Sequence, residues 1–202
     1  MQYDVSVNPQ IERHSLVKRC LDIIGALIGL LVLSPLLVVI AIAVKLESQG
    51  PALHWSSRVG RNNILFSMPK FRSMRVDAPD VATHLLPDPE RWITPLGRFL
   101  RRYSLDEFPQ LWSILKGDMS LVGPRPALHS QADLVALRNE AGVQVLRPGL
   151  TGWAQVNGRD ELPIPEKARL DAEYLVRKST LLDLRIIAKT ALTAFSGRGI
   201  RH

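Results

Sequence analysis

Asp106 and Glu107 are adjacent carboxylates in the stretch Tyr103 to Pro126, YSLDEFPQLWSILKGDMSLVGPRP, and cations bracket them on both sides. Arg98, Arg101 and Arg102 lie just upstream, and Arg125 follows between Pro124 and Pro126. A carboxylate among cations and unpartnered helix-start amides has its charged form favoured. An ionised carboxylate can attack phosphorus to give an acyl phosphate, and the same cations can hold the phosphates being cleaved. Arg125 is the sharper phosphate ligand, because two prolines restrict its backbone and a guanidinium fork matches two oxygens at once. Arg101, just before the acidic pair, is the other. A purely structural role for Asp106, as a complement to the positive end of a helix, also fits its position.

The elements that must hold this pair can be read from periodicity and turn residues. Leu105, Phe108, Leu111, Trp112 and Leu115 recur at spacings of three and four, which predicts a helix with one buried face. Pro109 belongs in a first turn and so sets the helix start near Asp106 or Glu107, while Ser104 to Glu107 also matches a capping box. Gly117 marks the turn that follows. Ile64 to Met74 reads as extended chain with Pro69 at an edge or bulge. Lys70 and Arg72 would share one face of it, the pattern of a solvated strand face. Asp77 to Arg91 reads as a loop or short helix over the site, and Ala127 to Ala141 as a solvated helix. Arg147 to Glu161 is rich in glycine and turn residues and reads as a loop, along which Gln155, Asn157 and Arg159 alternate. Trp153 suits either the core or a membrane interface. Ile164 to Ser179 is a charged amphipathic helix. Leu181 to Phe195 is apolar with Arg185 and Lys189 on its remaining face, the pattern of a helix in a headgroup plane or packed on the core.

Composition bounds the rest. The chain has 202 residues and a net charge of +7, with a pI near 10, which calls for anionic partners such as nucleic acid, anionic lipid or nucleotide phosphates. A single cysteine, Cys20, excludes an internal disulfide and reads as a small apolar helix residue. P-loop and GxGxxG motifs are absent, and the five histidines lack metal-ligand spacing. Asp88-Pro89-Glu90 is too isolated to act as a metal motif. Residues 1–15 are polar and unpatterned, as in a flexible arm. Ile23 to Val44 then runs 22 residues without a charge, enough at about 1.5 Å per residue to cross a hydrocarbon core of about 30 Å. Ser34-Pro35 at its middle predicts a bend, with the Ser34 hydroxyl satisfying a carbonyl freed one turn back. Basic residues flank both ends, Arg13, Lys18 and Arg19 before and Lys45, Arg58 and Arg61 after. That bias suits a helix that enters and leaves through one leaflet better than a straight crossing, although a kinked spanning helix shares the pattern.

The segment from Ser104 to Pro126, together with RPGLTGWAQVNGRDE at Arg147 to Glu161 and KFRSM at Lys70 to Met74, resembles the bacterial sugar transferase family. These are monotopic phosphoglycosyl transferases that begin glycan assembly on polyprenol phosphate. The resemblance extends from about His14 to His202 and rests on several motifs in a fixed order. The length matches the small catalytic-core members, without room for an added domain. It implies a mainly helical α/β fold: a flexible arm over 1–15, a Ser34-Pro35-kinked re-entrant helix over 16–46, and a catalytic domain over 47–202 with interfacial helices. The expected location is the cytoplasmic face of the bacterial inner membrane. The implied reaction has Asp106 attack the sugar-linked phosphate of a UDP-sugar with loss of UMP, after which polyprenol phosphate takes the phosphosugar. Mg²⁺ is the implied cofactor, held by Glu107 and Asp106, with the division of metal and proton roles between them open. Lys70, Arg72, Arg101, Arg125, Gln155, Asn157 and Arg159 become substrate contacts, Arg159 the one assigned to the diphosphate. Membrane lipids are implied partners, nucleic acid is not, and a homo-oligomer is left open. Phe108 and Ser113 depart from the residues usual in the family, away from the chemistry. The sugar is not revealed, and likeness to the small members points to an acetamido-deoxy sugar. Two alternatives remain: a membrane-anchored polyanion-binding protein, and an enzyme of the same chemistry with a spanning helix.

Overall fold

The computed structural model of the chain describes residues 9–79, 88–158 and 162–196. The first part of the expected arm, much of the expected Asp77 to Arg91 loop, and Arg159 lie outside the described residues. Helix α1 (Pro9–Glu47) begins earlier than expected and takes in the second half of the segment read as an arm. Pro9 suits a first helical position, and Gln10, Ile11, Glu12 and Arg13 have no helix breaker among them. The helix continues through Pro35. Proline removes the amide that would have bonded the Leu31 carbonyl, and the Ser34 hydroxyl donates to that same carbonyl at 2.8 Å. The expected substitution of hydroxyl for amide is therefore present, and the helical backbone is not interrupted.

One stripe of α1 packs on the rest of the molecule along nearly its whole length. Asp22, Ala26, Ile40 and Val44 are buried, and Leu30, Leu33, Leu37 and Ala41 are half-buried against the same clusters. The opposite face is apolar and bare, with Leu31 77% and Val32 68% exposed. A helix that is apolar all round belongs in a core or in lipid; here the core covers one side only. By length and composition Leu16–Glu47 can cross a membrane.

The remaining architecture is mostly helical with two small sheets. Strands β1 (Leu53–Val59) and β2 (Leu65–Phe71) form an antiparallel hairpin registered from Leu53↔Phe71 to Val59↔Leu65. Helix α2 (Pro95–Arg102), a 3₁₀ segment (Leu105–Gln110) and helix α3 (Leu111–Lys116) follow. Strand β3 (Ser120–Val122) pairs in parallel with β4 (Gly149–Thr151), and α4 (Ala132–Glu140) lies between them in sequence. Helices α5 (Trp153–Val156), α6 (Ile164–Arg177) and α7 (Thr180–Ser196) complete the described chain. The segment expected to be a loop after Arg147 thus contains β4 and α5. Its glycines serve close approach: a Cβ on Gly149 would lie 2.1 Å from the Gly123 nitrogen, and one on Gly152 2.0 Å from the Gly123 oxygen.

The helix expected over the acidic pair is also divided. A 3₁₀ turn advances about three residues per turn against about 3.6 in an α-helix, so the buried stripe changes phase at Leu111. Ile114 becomes fully buried, whereas Trp112 is 53% exposed. Ala26 packs with Met68, Leu111, Ile114 and Met119, and Ile40 and Val44 pack with Phe71 and Leu100.

Helix α7 buries Leu182 and Ile186 against Val122 and Tyr174 and exposes Leu181, Leu184 and Leu192. Its start is fixed by Asp183, which accepts from Tyr174 at 2.6 Å and from Lys18 at 2.8 Å. Asp22 ties α1 to β3 by accepting from the Ser120 hydroxyl at 3.0 Å and the Leu121 amide at 2.9 Å.

Helix α2, which carries Arg101, is capped by Thr94, whose Oγ1 accepts from the Gly97 amide at 2.9 Å. A Cβ at Gly97 would meet the Ser73 carbonyl oxygen at 2.0 Å, a backbone atom that cannot swing away. Gly97→Ala is expected to cost about 1–3 kcal/mol, the usual range for overpacking, read as a lower denaturation midpoint of the detergent-solubilised chain.

Candidate active site

Ser104 carries φ +55°, a left-handed residue at the entry to the 3₁₀ segment, and its side chain makes no capping bond. The capping box does not form. Asp106 and Glu107 follow in the first turn, where successive side chains of a 3₁₀ helix diverge by about 120°. The two carboxylates accordingly meet different cations.

Glu107 Oε1 accepts from Lys70 Nζ at 2.8 Å and from Arg125 Nη2 at 3.1 Å. Its side chain is 16% exposed. Burial alone would raise its pKa, but the Arg125 charge and then Lys70 prevail and hold the carboxyl well below the usual carboxylate range. Asp106 is buried, 7% exposed, and its charge acts on Arg101. Burial pushes the Arg101 guanidinium down, and the charges of Asp106 and then Glu90 oppose that shift. Arg101 Nε donates to the Ser73 hydroxyl at 2.8 Å.

A cleft opens beside Glu107, with Lys70 and Met68 from β2, Gln110 from the 3₁₀ turn, and Arg125. Gly149 and Leu150 of β4 also line it. Segments far apart in sequence, those of Lys70, Glu107, Arg125 and Gly149, therefore meet at one place. This arrangement can keep a carboxylate ionised and present cations to an anionic ligand.

Other expected site residues are placed elsewhere. Strand β2 ends at Phe71, so the alternation that would put Arg72 beside Lys70 stops one residue short. Arg72 is 7% exposed and donates to the carbonyls of Ser48 at 2.7 Å, Gln49 at 2.7 Å and Val44 at 3.3 Å. It caps the C-terminal end of α1 instead of facing substrate. Gln155 and Asn157 lie on and just after α5, not along an extended loop, and helical winding replaces their expected alternation. Gln155 Nε2 donates to Leu150 oxygen at 3.3 Å and Asn157 Nδ2 to Trp153 oxygen at 2.8 Å. Neither lines the cleft. Trp153 packs partly buried against the α6–α7 core, with the cations of Arg177 and Lys189 over its ring at 5.4 and 5.5 Å. Arg98 pairs with Glu90 at 2.6 Å on the exposed surface.

Residues 13–197 match the family described as bacterial sugar transferase. The chain belongs to the bacterial sugar transferase family. It is 42% identical over 193 residues to the undecaprenyl-phosphate glucose phosphotransferase of Komagataeibacter xylinus, covering 90% of this chain and 36% of that protein. It is 35% identical over 193 residues to the UDP-N-acetylgalactosamine-undecaprenyl-phosphate N-acetylgalactosaminephosphotransferase of Aeromonas hydrophila, covering 93% and 46%. An uncharacterized sugar transferase of Bacillus subtilis (strain 168), EpsL, is 37% identical over 187 residues, covering 93% of this chain and 91% of that protein. The chain thus spans between a third and a half of the length of the first two.

In this family member, spacing alone does not single out Gln110 (3% exposed) or Arg58 as cleft residues. Arg58 arrives through the register of β1 on β2, and its Nη1 donates to the Pro126 carbonyl at 3.4 Å. Among the described residues no group of three or more His, Cys, Asp or Glu side chains converges. A carboxylate whose pKa is depressed by folding adds stability above its unfolded pKa of about 4.3, and that stability is lost as pH falls toward its folded value. Denaturation midpoints measured from pH 7 down to pH 3 should therefore fall more steeply for the wild-type chain than for Glu107→Gln. Parallel curves would show that Glu107 is not held ionised by folding.

Proposed function

We propose that this chain transfers a phosphosugar from a UDP-sugar to polyprenol phosphate with release of UMP. The observation that carries the reading is the cleft in which Lys70 and Arg125 hold Glu107 ionised, one residue after the buried Asp106. The named activities of the relatives from Komagataeibacter xylinus and Aeromonas hydrophila supply the reaction class. A polyanion-binding surface without catalysis would not place a carboxylate at its centre, where it repels the ligand.

In the proposed reaction an Asp106 oxygen forms a bond to the sugar-linked phosphorus. The bond from that phosphorus to the bridging oxygen breaks, and UMP leaves with the electron pair. A phosphate oxygen of polyprenol phosphate then attacks the same phosphorus. The aspartyl–phosphorus bond breaks, the carboxylate returns, and polyprenyl diphosphate sugar is released. Arg125 and Lys70 neutralise charge on the diphosphate, and Arg101 supports the ionised state of Asp106. Carboxylate oxygens suit Mg²⁺, which is commonly bound by one or two protein carboxylates and completed by other oxygen ligands. Glu107 and Asp106 are the residues that would hold it, and its chemistry there is to offset the negative charge of the diphosphate.

The packing of α1 supports a helix that enters and leaves by one leaflet at the cytoplasmic face of the inner membrane. From Asp22 to Val44 a straight helix rises about 33 Å, the thickness of a hydrocarbon core. Asp22 is bonded to Ser120 and Leu121, while Val44 packs on Phe71 and Leu100. A straight crossing would place those parts of one folded domain at opposite faces of the bilayer. A bend at Pro35 keeps both on one side, in agreement with basic residues at both flanks, and leaves the bare faces of α1 and α7 to lipid.

Asp106→Asn should abolish UMP release, and the wild-type chain should show ping-pong kinetics and a trapped phosphosugar adduct on Asp106 by mass spectrometry. Normal turnover of the variant defeats the assignment. A panel containing UDP-glucose, UDP-N-acetylgalactosamine and other acetamido sugars identifies the donor. For topology, Gln2→Cys and His202→Cys, each in a Cys20→Ser background, should react with an impermeant maleimide only after the membrane is opened. Labelling of Gln2→Cys alone in intact cells would establish a spanning helix.

A further inference from the structure

Arg125 lies between two residues that have no amide hydrogen, so the backbone of Pro124-Arg125-Pro126 is gripped through its carbonyls. Each of the three accepts a bond: Pro124 from the Gly149 amide at 2.8 Å, Arg125 from Arg138 Nη1 at 3.0 Å, and Pro126 from Arg58 Nη1 at 3.4 Å. Pro126 confines Arg125 to extended backbone, and a donor on the Arg125 carbonyl selects one orientation of that peptide within the allowed range.

The donor is itself held rigidly. Arg138 on α4 gives Nε at 2.9 Å and Nη2 at 2.6 Å to Asp171 Oδ2 on α6. The Arg138 side chain is 13% exposed and that of Asp171 2%. Two of the guanidinium nitrogens bind the carboxylate and the third binds the Arg125 carbonyl, a division that the planar fork of arginine permits and a lysine ammonium does not reproduce. A pair needed only to join α4 to α6 has no use for that third bond.

We infer that Arg138, oriented by Asp171, is a positioning residue that aims Arg125 at the phosphates of the nucleotide-sugar. The chain of contacts runs from Asp171 through Arg138 to the Arg125 carbonyl, and from the Arg125 guanidinium to Glu107 at 3.1 Å. This inference rests on the proposed role of Arg125 in phosphate binding. Arg138 touches no reacting group itself, so its effect must pass through Arg125.

The test is a double-mutant cycle on the full chain in detergent or nanodiscs. UMP release is followed with whichever of UDP-glucose and UDP-N-acetylgalactosamine the wild-type chain turns over faster. Arg138→Lys should raise the donor KM about three- to tenfold, within the range for coupled neighbours, with a smaller change in kcat. Arg125→Ala should raise KM by itself, and adding Arg138→Lys to it should change KM no further. Asp171→Asn, which keeps shape and can still accept from Arg138, should shift KM in the same direction, and it decides the matter if Arg138→Lys melts below the assay temperature. Losses that multiply in the double variant, or an unchanged KM in both Arg138→Lys and Asp171→Asn, overturn the positioning role while leaving the site reading intact. A normal KM in Arg125→Ala overturns the role of Arg125 and this inference with it.

Discussion

A cleft proposed to receive phosphate must keep its carboxylate ionised without repelling the ligand, and Glu107 meets that demand by carrying two cations on one oxygen. Lys70, Arg125 and Glu107 together bear a net positive charge, so the anion is retained and the surface still attracts a diphosphate. Removing water from such a trio is costly unless the geometry is good, and much of the fold serves that geometry. Strand β2 delivers Lys70, the 3₁₀ turn delivers Glu107 apart from Asp106, and the proline-bracketed segment delivers Arg125.

The same turn explains how neighbours in sequence acquire different surroundings. An α-helix starting at Asp106 would also separate the two carboxylates, but Ser104 in a left-handed conformation tightens the entry and lets Asp106 sink while Glu107 reaches the cleft. The carboxylate proposed as nucleophile is thus the more buried of the two, near a guanidinium whose own protonation burial disfavours and the carboxylate supports. Each of the pair faces different cations, Asp106 the charge of Arg101 and Glu107 those of Lys70 and Arg125.

Much of this was legible in the sequence, and the limits follow from physical causes. Lys70 is marked only by the family resemblance of KFRSM, whereas Asp106, Glu107 and Arg125 stand out because charge density and proline bracketing are local signals. The uncharged run and its Ser34-Pro35 step were legible for the same reason, down to the hydroxyl that replaces the missing amide. Strand alternation would put Arg72 beside Lys70, but the strand ends at Phe71. A single helical period would bury Trp112, but the 3₁₀ segment gives way to α-helix at Leu111 and turns it outward. Strands β3 and β4 are too short to show alternation, so glycines that allow close backbone approach looked like loop residues. Arg58 and Arg138 act through partners distant in the chain, and spacing carries no record of such contacts.

Helix α1 is more than a tether. Ala26, Ile40 and Val44 are buried members of the same clusters as Met68, Ile114, Phe71 and Leu100, and Arg72 donates to Val44 in the last turn of the helix and to Ser48 and Gln49 just after it. Deleting the helix would strip the cover from these side chains and take from the buried Arg72 guanidinium its Val44 acceptor. The rest of the chain therefore shares part of its core with the anchor, and swapping that anchor for an unrelated hydrophobic segment would forfeit those clusters along with the attachment.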